Sequence, residues 1–462
     1  MIPRPILTAD QMRAAEAKAV AAGTPVETLM ERAGAAAATA IRLHAGTMPC
    51  LILCGPGNNG GDGYVIARKL QEWGMDVRVA AVGEPQSAAA ASAKAAWTGA
   101  VDPISNAKHA PLWIDALFGT GLRRPLDETI VGPFLKLASE ARVRIAIDLP
   151  SGVATDTGQI LSTVPSFHLT ITFGSLKPSH LLMPAAQQMG RLVVADIGVE
   201  ALSSVHEIGR PSMDSPSPLE HKYRRGYAAI LAGDMPGAAA LSAAAALHAG
   251  AGYVRLIGEA AGAFLPNAVV RTPGDPVEVL ADPRIGAVAV GPGLGRGERA
   301  RHLLDAALAS NRPLVLDADA LSILAEGKLS RLCKATHRSI LTPHAGEYAK
   351  LFPDHEGSKL DQALRAARET GCVIVYKGAD TVVACPDGRA AIAHAAPAWL
   401  ASAGTGDVLT GIIAALRSTT TSPFGAACAG VWLHGRAAEL AGPALIADDL
   451  IDQLPAAIAE CL

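Results

Sequence analysis

The sequence predicts an α/β protein of two unlike domains, each a mostly parallel sheet with helices on both faces. Three observations lead there. The 462 residues are enough for two or three domains. Short apolar runs alternate with helical patterns through most of the chain, the signature of strand-helix-strand units. A Ser/Pro-rich stretch, SMDSPSP, interrupts that rhythm near the middle. The elements follow in order. Thr8 with Gln11 and Thr24 with Glu27 both read as capping boxes opening helices, and Pro25 sits where a first-turn proline is tolerated. CLILC (50–54), VRVAAV (77–82), LWIDAL (112–117), VRIAIDL (143–149), LTITF and RLVVADIGV then read as strands, with helical segments such as YVIARKLQEW between them. After the break, YAAILAGD, GAVAVGPGLG, PLVLDADAL, SILTPHAGE and CVIVYKGADTVVACPDG form a second series, the last with a hairpin around Pro386-Asp387-Gly388. From Gly406 onward the pattern is mostly helical, and no motif repeats between the halves. The expected domains are 1–208 and 219–462, joined by a linker at 209–218.

Composition removes several classes of function. Half the residues are hydrophobic and 18% are charged, which excludes disorder over most of the length. Lys and Arg number 40 against 43 Asp and Glu, a net charge of −3, so neither nucleic acid nor an acidic membrane surface is an expected partner. With only five Trp, six Tyr and seven Phe, the core is built from Ala, Val, Leu and Ile. The seven cysteines (Cys50, Cys54, Cys333, Cys372, Cys385, Cys428 and Cys461) are odd in number and lack CxxC spacing, so buried reduced thiols are expected rather than a disulfide framework or zinc site. The N-terminus lacks an apolar signal core, and no apolar run nears the roughly 20 residues of a membrane span. A soluble cytoplasmic protein is expected, and the Ala-rich helices suit a homo-oligomer.

Three loops of the first domain fall at the carboxyl ends of strands, where open α/β sheets bind ligands. GPGNNGGDG (55–63) satisfies GxGxxG through Gly55, Gly57 and Gly60, a weak dinucleotide signal. Asp62 puts a carboxylate where a pyrophosphate would want bare backbone donors. Asn58, Asn59 and Asp62 suit sugar hydroxyls or a hard cation. DALFGTGLRRP carries Asp115, Gly119, Thr120, Gly121 and Arg123, and IDLPSG carries Asp148 and Ser151. Singly, these read as helix caps and glycine turns. Together, Asn59, Asp115 and Ser151 offer amide, carboxylate and hydroxyl oxygens for a monovalent cation, leaving Asp148 free to move a proton.

The second domain's strongest motif is SAGTGDVLTGI. Gly404-Thr405-Gly406 aims backbone N–H groups at an anion from a helix N-terminus, and Asp407 beside it can be a general base for a hydroxyl attacking a phosphoryl group. Lys377 and Gly378 in KGADT suit a nucleotide phosphate; a solvated hairpin lysine is the plainer reading. His344 and Glu347 in LTPHAGE follow a strand, where a lone histidine is more often structural. GPGLG (291–295) and DADAL (317–321) complete the loops around one expected cleft.

These motifs, in this order along nearly the whole chain, resemble the bifunctional NAD(P)H-hydrate repair enzyme family. GPGNNGGDG, DALFGTGLRR and IDLPSG resemble its epimerase domain. GAGYV, GPGLG, DADAL, LTPHAGE, KGADT and GTGDVLTGI resemble its ADP/ATP-dependent dehydratase domain. The resemblance implies a Rossmann-like first domain and a ribokinase-like second one. It implies that Asn58, Asn59, Gly60, Gly61, Asp62, Gly119, Thr120, Gly121, Leu122, Arg123, Arg124, Pro125 and Asp148 contact hydrated NADH or NADPH. Asn59, Asp115 and Ser151 would hold K+. The first domain would interconvert the R and S forms at the hydrated ring carbon, with Asp148 catalytic. In the second domain Ala251, Gly293, His344 and Asp407 would face the S hydrate, with Asp407 catalytic. Lys377, Gly378, Ala379, Asp380, Thr381 and Gly406 would hold ADP or ATP with Mg2+. Phosphorylating the hydroxyl makes it a good leaving group, so a kinase fold can perform a dehydration. Asp234, in LAGDMPG, departs from the family's small hydroxyl residue and adds negative charge near a phosphate-handling cleft. Two other readings fit parts of the chain. GTGD also suits a small-molecule kinase, which would release a stable phosphate ester. The first domain also suits a non-catalytic nucleotide-binding module, in which Asp148 would be structural.

Overall fold

The computed structural model describes residues 3–258, 264–327, 329, 332, 339–420 and 422–462. The chain forms two compact units, Arg4–Val205 and His206–Leu462. Cys333 lies outside the described residues. Cys50, Cys54, Cys385, Cys428 and Cys461 carry free thiols.

The first unit opens with helices α1 (Ala9–Ala21) and α2 (Val26–Ala45). Thr8 forms the expected capping box with Gln11. Thr24 does not: Pro25 itself is the N-cap of α2, with no side-chain cap bond, so Thr24 lies one residue too far back to reach the orphan amides. Strands β1 (Cys50–Cys54), β2 (Val77–Ala81), β3 (Val101–Pro103), β4 (Leu112–Ala116), β5 (Val143–Ile147), β6 (Leu169–Phe173) and β7 (Arg191–Ala195) follow, with helices α3 (Asn58–Glu72), α4 (Ala88–Ala95) and α5 (Glu128–Glu140) between them. The strands form one parallel sheet in the order β3-β2-β1-β4-β5-β6-β7. The order reverses between β1 and β4, and such a switch opens a crevice at the carboxyl edge. Both faces are covered, which is why every residue of CLILC and LTITF is buried, the two threonines of the second included. Ile52, Ile114 and Ile145 pack with Ala37 and Ile41 of α2 and Ile66 of α3. On the opposite face Trp113, wholly buried, packs with α5. Its ring lies 4.9 Å from that of Phe134 and 5.6 Å from that of Phe167.

The second unit contains strands β8 (Val205–Glu207), β9 (Tyr227–Leu231), β10 (Tyr253–Ile257), β11 (Val270–Thr272), β12 (Ala287–Val290), β13 (Leu314–Leu316), β14 (Ile340–Leu341), β15 (Val373–Tyr376), β16 (Val382–Ala384) and β17 (Ala390–Ile392). Helices α6 (Pro236–His248), α7 (Pro276–Leu280), α8 (Glu298–Ala309), α9 (Ala318–Ala325), α10 (Ala345–Leu351) and α11 (Lys359–Thr370) lie between them; α12 (Thr405–Thr419), α13 (Pro423–Ala441) and α14 (Ala447–Ala459) follow. The sheet runs β11-β10-β9-β12-β13-β14-β15-β16-β17-β8, with β9 to β15 parallel and β16–β17 the antiparallel hairpin around Pro386-Asp387-Gly388. Alanine-rich α6 lets α12 approach backbone to backbone: a Cβ on Gly411 would collide with the Ser242 carbonyl. Inside the stretch expected as a linker, Met213 donates its N–H to the Cys461 carbonyl at 3.0 Å and packs on the second unit's core.

Candidate functional sites

In the first unit the loops after β1, β4, β5 and β6 gather at the carboxyl edge of the sheet, around a cavity of about 1110 Å³. The glycines of GPGNNGGDG bring them together. A Cβ on Gly55 would strike the Leu117 carbonyl, and one on Gly60 would strike the Gly55 backbone. The GxGxxG spacing thus serves backbone-to-backbone packing. Gly60 and Gly61 are buried inside that packing, whereas Asn58, Asn59 and Asp62 line the cavity. So do Gly119, Thr120, Gly121, Leu122, Arg123, Arg124 and Asp148; Pro125 is exposed and does not. The Asn58 carboxamide oxygen accepts from the Ser87 hydroxyl at 2.5 Å. Both polar atoms of the Asn59 carboxamide are buried with no hydrogen-bond partner. An orphaned buried amide is costly unless something fills it.

Asp115 is fully buried on β4 and tied to the loop after β5. It accepts from the Ser151 hydroxyl at 2.7 Å, the Ser151 N–H at 2.8 Å and the Leu117 N–H at 3.1 Å. Burial outweighs those three bonds and pushes its carboxyl up to about 6. Among the described residues no group of three or more His, Cys, Asp or Glu could hold a metal. Asn59, Asp115 and Ser151 bring amide, carboxylate and hydroxyl oxygens to this edge of the sheet.

Asp148 follows β5 in the left-handed region, with φ of 63°. The structure departs here from the expectation of a carboxylate free to move a proton. One oxygen accepts from Lys177 Nζ at 2.7 Å and the Thr172 hydroxyl at 2.9 Å, and the other from the Thr120 N–H at 3.1 Å. Burial alone would raise this carboxyl, but the Lys177 charge and hydrogen bond, with smaller help from His180 and Thr172, hold it below the usual range. Lys177, only 1% exposed, also donates to the Phe173 carbonyl at 3.1 Å. Buried His180 accepts the Lys177 N–H on Nδ1 at 2.8 Å, so its Nε2 is the donor to the Asp148 carbonyl at 2.8 Å. The sequence gives no local signal for Thr172, inside the LTITF run, or for Lys177 and His180 just beyond it. Arg13 and Glu16 of α1 also line the cavity.

In the second unit the loops after β9, β12, β13, β14 and β15 share one edge because those strands are parallel. Asp317, buried after β13, accepts from Lys377 Nζ at 2.6 Å and the Thr410 hydroxyl at 2.7 Å. A Cβ on Gly406 would lie 3.6 Å from Lys377 Nζ, so that ammonium stands at the amino end of α12. Gly404, with φ of 86°, turns the chain into α12 and leaves its first N–H groups without helical partners. Asp407 sits in the first turn. Burial, then the charges of Asp317 and Asp319, push its carboxyl up to about 6 against the opposing pull of Lys377. His434, held neutral by burial with its pKa down at about 4, contacts the Thr405 carbonyl at 2.9 Å.

The KGADT loop is anchored by Lys359 of α11, also missed in the sequence. Its ammonium meets Asp380 at 2.5 Å and the Lys377 carbonyl at 3.3 Å. Thr381 bonds back to the Gly378 carbonyl at 2.8 Å, and the Ala379 carbonyl accepts from the Ala396 N–H at 3.0 Å. His344 caps α10: its Nδ1 accepts from the Gly346 N–H at 3.0 Å, and Glu347 accepts from the His344 N–H at 2.9 Å. The GPGLG loop packs through Gly291 on the Asp317 carbonyl, and Gly293 accepts from the Met235 N–H at 2.9 Å. Asp234 is exposed, with its carboxylate over Gly295. Ala251 does not join this set. It precedes β10, at the amino edge of the parallel sheet, and is buried against the end of α6, with its N–H donating to the Ala246 carbonyl at 3.1 Å.

Comparison with known proteins agrees with this division. Residues 228–456 match the family described as NAD(P)H-hydrate dehydratase, and residues 26–179 the family described as YjeF-related protein N-terminus. The chain is 36% identical to the bifunctional NAD(P)H-hydrate repair enzyme Nnr of Escherichia coli, over 95% of its own length and 90% of that protein's. It is 34% identical to the Nnr enzyme of Thermofilum pendens, over 91% and 88%. A ribokinase-like superfamily protein of Enterococcus faecalis has a similar fold, with a TM-score of 0.51 at 21% identity, over 56% of this chain and 97% of that one. The chain is a member of the bifunctional NAD(P)H-hydrate repair enzyme family.

Proposed function

We propose that this chain repairs hydrated NADH and NADPH in two steps: its first unit interconverts the R and S hydrates, and its second dehydrates the S hydrate at the expense of ADP or ATP. The observation that carries the reading is the union, in one chain, of two unlike units that each gather loops at a sheet edge and together match the repair family end to end. In the first unit Asn58, Asn59, Asp62, the segment from Gly119 to Arg124, and Asp148 contact the hydrate. The orphaned Asn59 amide, with Asp115 and Ser151, supports a K+ site that would fix the loops and offset their negative charge. In the second unit Gly293, His344 and Asp407 face the S hydrate, while Lys377, Gly378, Ala379, Asp380, Thr381 and Gly406 hold the nucleotide.

The second unit's chemistry follows from Asp407. Its carboxylate takes the proton of the substrate hydroxyl as that oxygen attacks the terminal phosphorus, and the bond to the bridging oxygen breaks. The N–H groups opening α12, with Lys377, stabilise the transferring phosphoryl oxygens. Mg2+ arriving with the nucleotide supplies charge neutralisation. The new ester then leaves as phosphate: its carbon–oxygen bond breaks, the ring nitrogen pushes, and a proton lost from the neighbouring carbon restores the double bond. The products are NAD(P)H, phosphate and AMP or ADP. Free thiols at five described cysteines support a reducing, cytoplasmic setting, and among the described residues no helix is long and apolar enough to cross a membrane.

The test is incubation of the full chain with mixed R and S NADH hydrate, Mg2+, K+ and either ADP or ATP, following nicotinamide absorbance and both epimers by chromatography. Loss of both epimers with release of phosphate is expected. Loss of the S form alone would reduce the first unit to a binding module. A stable phosphate ester in place of free phosphate would make the second unit a kinase.

A further inference from the structure

We propose that Asp62 and Glu16 form the proton-transfer pair of the first unit's site, with Asp148 serving as a fixed charge. This rests on the epimerase reading of that unit. Three carboxylates line the cavity: Glu16 from α1, Asp62 from the second turn of α3, and Asp148 after β5. They divide sharply by commitment. Both oxygens of Asp148 are occupied, by Lys177, Thr172 and the Thr120 N–H. Neither the Glu16 nor the Asp62 carboxylate makes a hydrogen bond or ion pair with the described residues. A group that must pick up and release a proton at the substrate needs that freedom; a group in a buried ion pair lacks it.

The second unit repeats the division. There Asp317 is locked to Lys377 and Thr410, and Asp407, near the start of its helix, makes no side-chain hydrogen bond with the described residues. The charge balance also supports the pair. Burial raises Asp62 well above the ordinary carboxylate range, and the charges of Asp148 and Glu16 raise it further against the pull of Lys177. Burial raises Glu16 as well, opposed by Lys177, with the Asp148 charge adding to the rise and Arg13 to the opposition. Both shifts run toward the protonated form, the direction that lets one member carry a proton while the other acts as the base.

That pair suffices for inversion at the hydrated carbon, which bears a hydroxyl beside the ring nitrogen. The ionised carboxylate takes the hydroxyl proton. A carbon–oxygen double bond forms, the carbon–nitrogen bond breaks with its electron pair going to nitrogen, and the protonated partner gives its proton to that nitrogen. The open-chain aldehyde turns about the adjacent carbon–carbon bond. Reversal of the same transfers closes the ring on the other face. No electrons enter or leave, and the pair ends with the one proton it began with.

The experiment uses the full chain with R hydrate of NADH and K+, without nucleotide, and follows the S form by chromatography. Asp62→Asn and Glu16→Gln are each expected to lower kcat by about 10²-fold or more, with KM within a few-fold. Dehydration of pure S hydrate with ADP and Mg2+ by the same preparations should stay at the wild-type rate, and circular dichroism with a thermal melt should show the first unit folded. Epimerisation in D2O should give product with no carbon-bound deuterium. If wild type epimerises and either folded variant keeps kcat within threefold, the pair is overturned. Deuterium on carbon would overturn the ring-opening transfer. If wild type itself fails to epimerise, the epimerase reading falls and takes this proposal with it.

Discussion

The two sites are built from the same parts set at different depths. Each has a buried Asp–Lys pair whose aspartate follows one parallel strand and whose lysine follows another: Asp148–Lys177 at 2.7 Å and Asp317–Lys377 at 2.6 Å. Each pair is braced by a threonine hydroxyl, from Thr172 or Thr410. Each site also holds a second, raised carboxylate near the start of a helix, Asp62 or Asp407. The difference is one turn of helix. Asp407 stands in the first turn of α12, beside bare N–H groups and the Lys377 ammonium, where a phosphoryl group is welcome. Asp62 is a turn further in, past Gly60 packed on the Gly55 backbone. One arrangement sets its carboxylate beside the helix's opening N–H groups, and the other sets it beyond them.

The largest test of this contrast is Asp407→Asn. Loss of the base should slow dehydration by about 10² to 10⁴-fold and leave epimerisation untouched, measured on pure S and pure R hydrate. Loss of epimerisation as well would break the separation of the sites. Next comes Lys177→Met, which strands the Asp148 charge in a buried site. Breaking such a pair costs about 3–5 kcal/mol, read by chemical denaturation. Lys377→Met should cost less, because 16% of that lysine side chain is exposed against 2% for Lys177. Acidity gives a smaller effect. With its carboxyl raised to about 6, Asp407 is protonated below that pH and ionised above it. A base acts only when ionised, so single-turnover dehydration should fall about tenfold per pH unit below 6 and level off above 7. A flat profile from pH 5 to 7 would remove Asp407 from that role. The smallest effect belongs to Asp234→Ser. Exposure limits its influence, and KM for the S hydrate should improve by no more than about threefold.

The sheets and the loops at their edges were legible because they rest on local pattern. CLILC is apolar on both faces, and the glycine, aspartate and threonine signals sit directly beyond such runs. The missing partners were long-range. Lys177 meets Asp148 across 29 positions and Lys359 meets Asp380 across 21, and before folding each lysine looks solvated. Glu16 lies on a helix whose alanines give no amphipathic face to say which side is covered. Thr24 failed as a cap through a single-residue shift imposed by Pro25. Ala251 belongs to a small-residue run that supports the α6–β10 turn, and its proximity to any ligand loop could be judged only once the strand direction was known.

The wholly buried Trp113 of β4, packed against two phenylalanines, also gives the first unit an optical probe. Its indole sees no water, so it emits toward the blue. Trp399, 53% exposed in the second unit, emits toward the red. Unfolding that brings Trp113 into water therefore shifts emission toward the red without any label. Any variant that loosens β4 announces itself as a red shift before an activity is assayed.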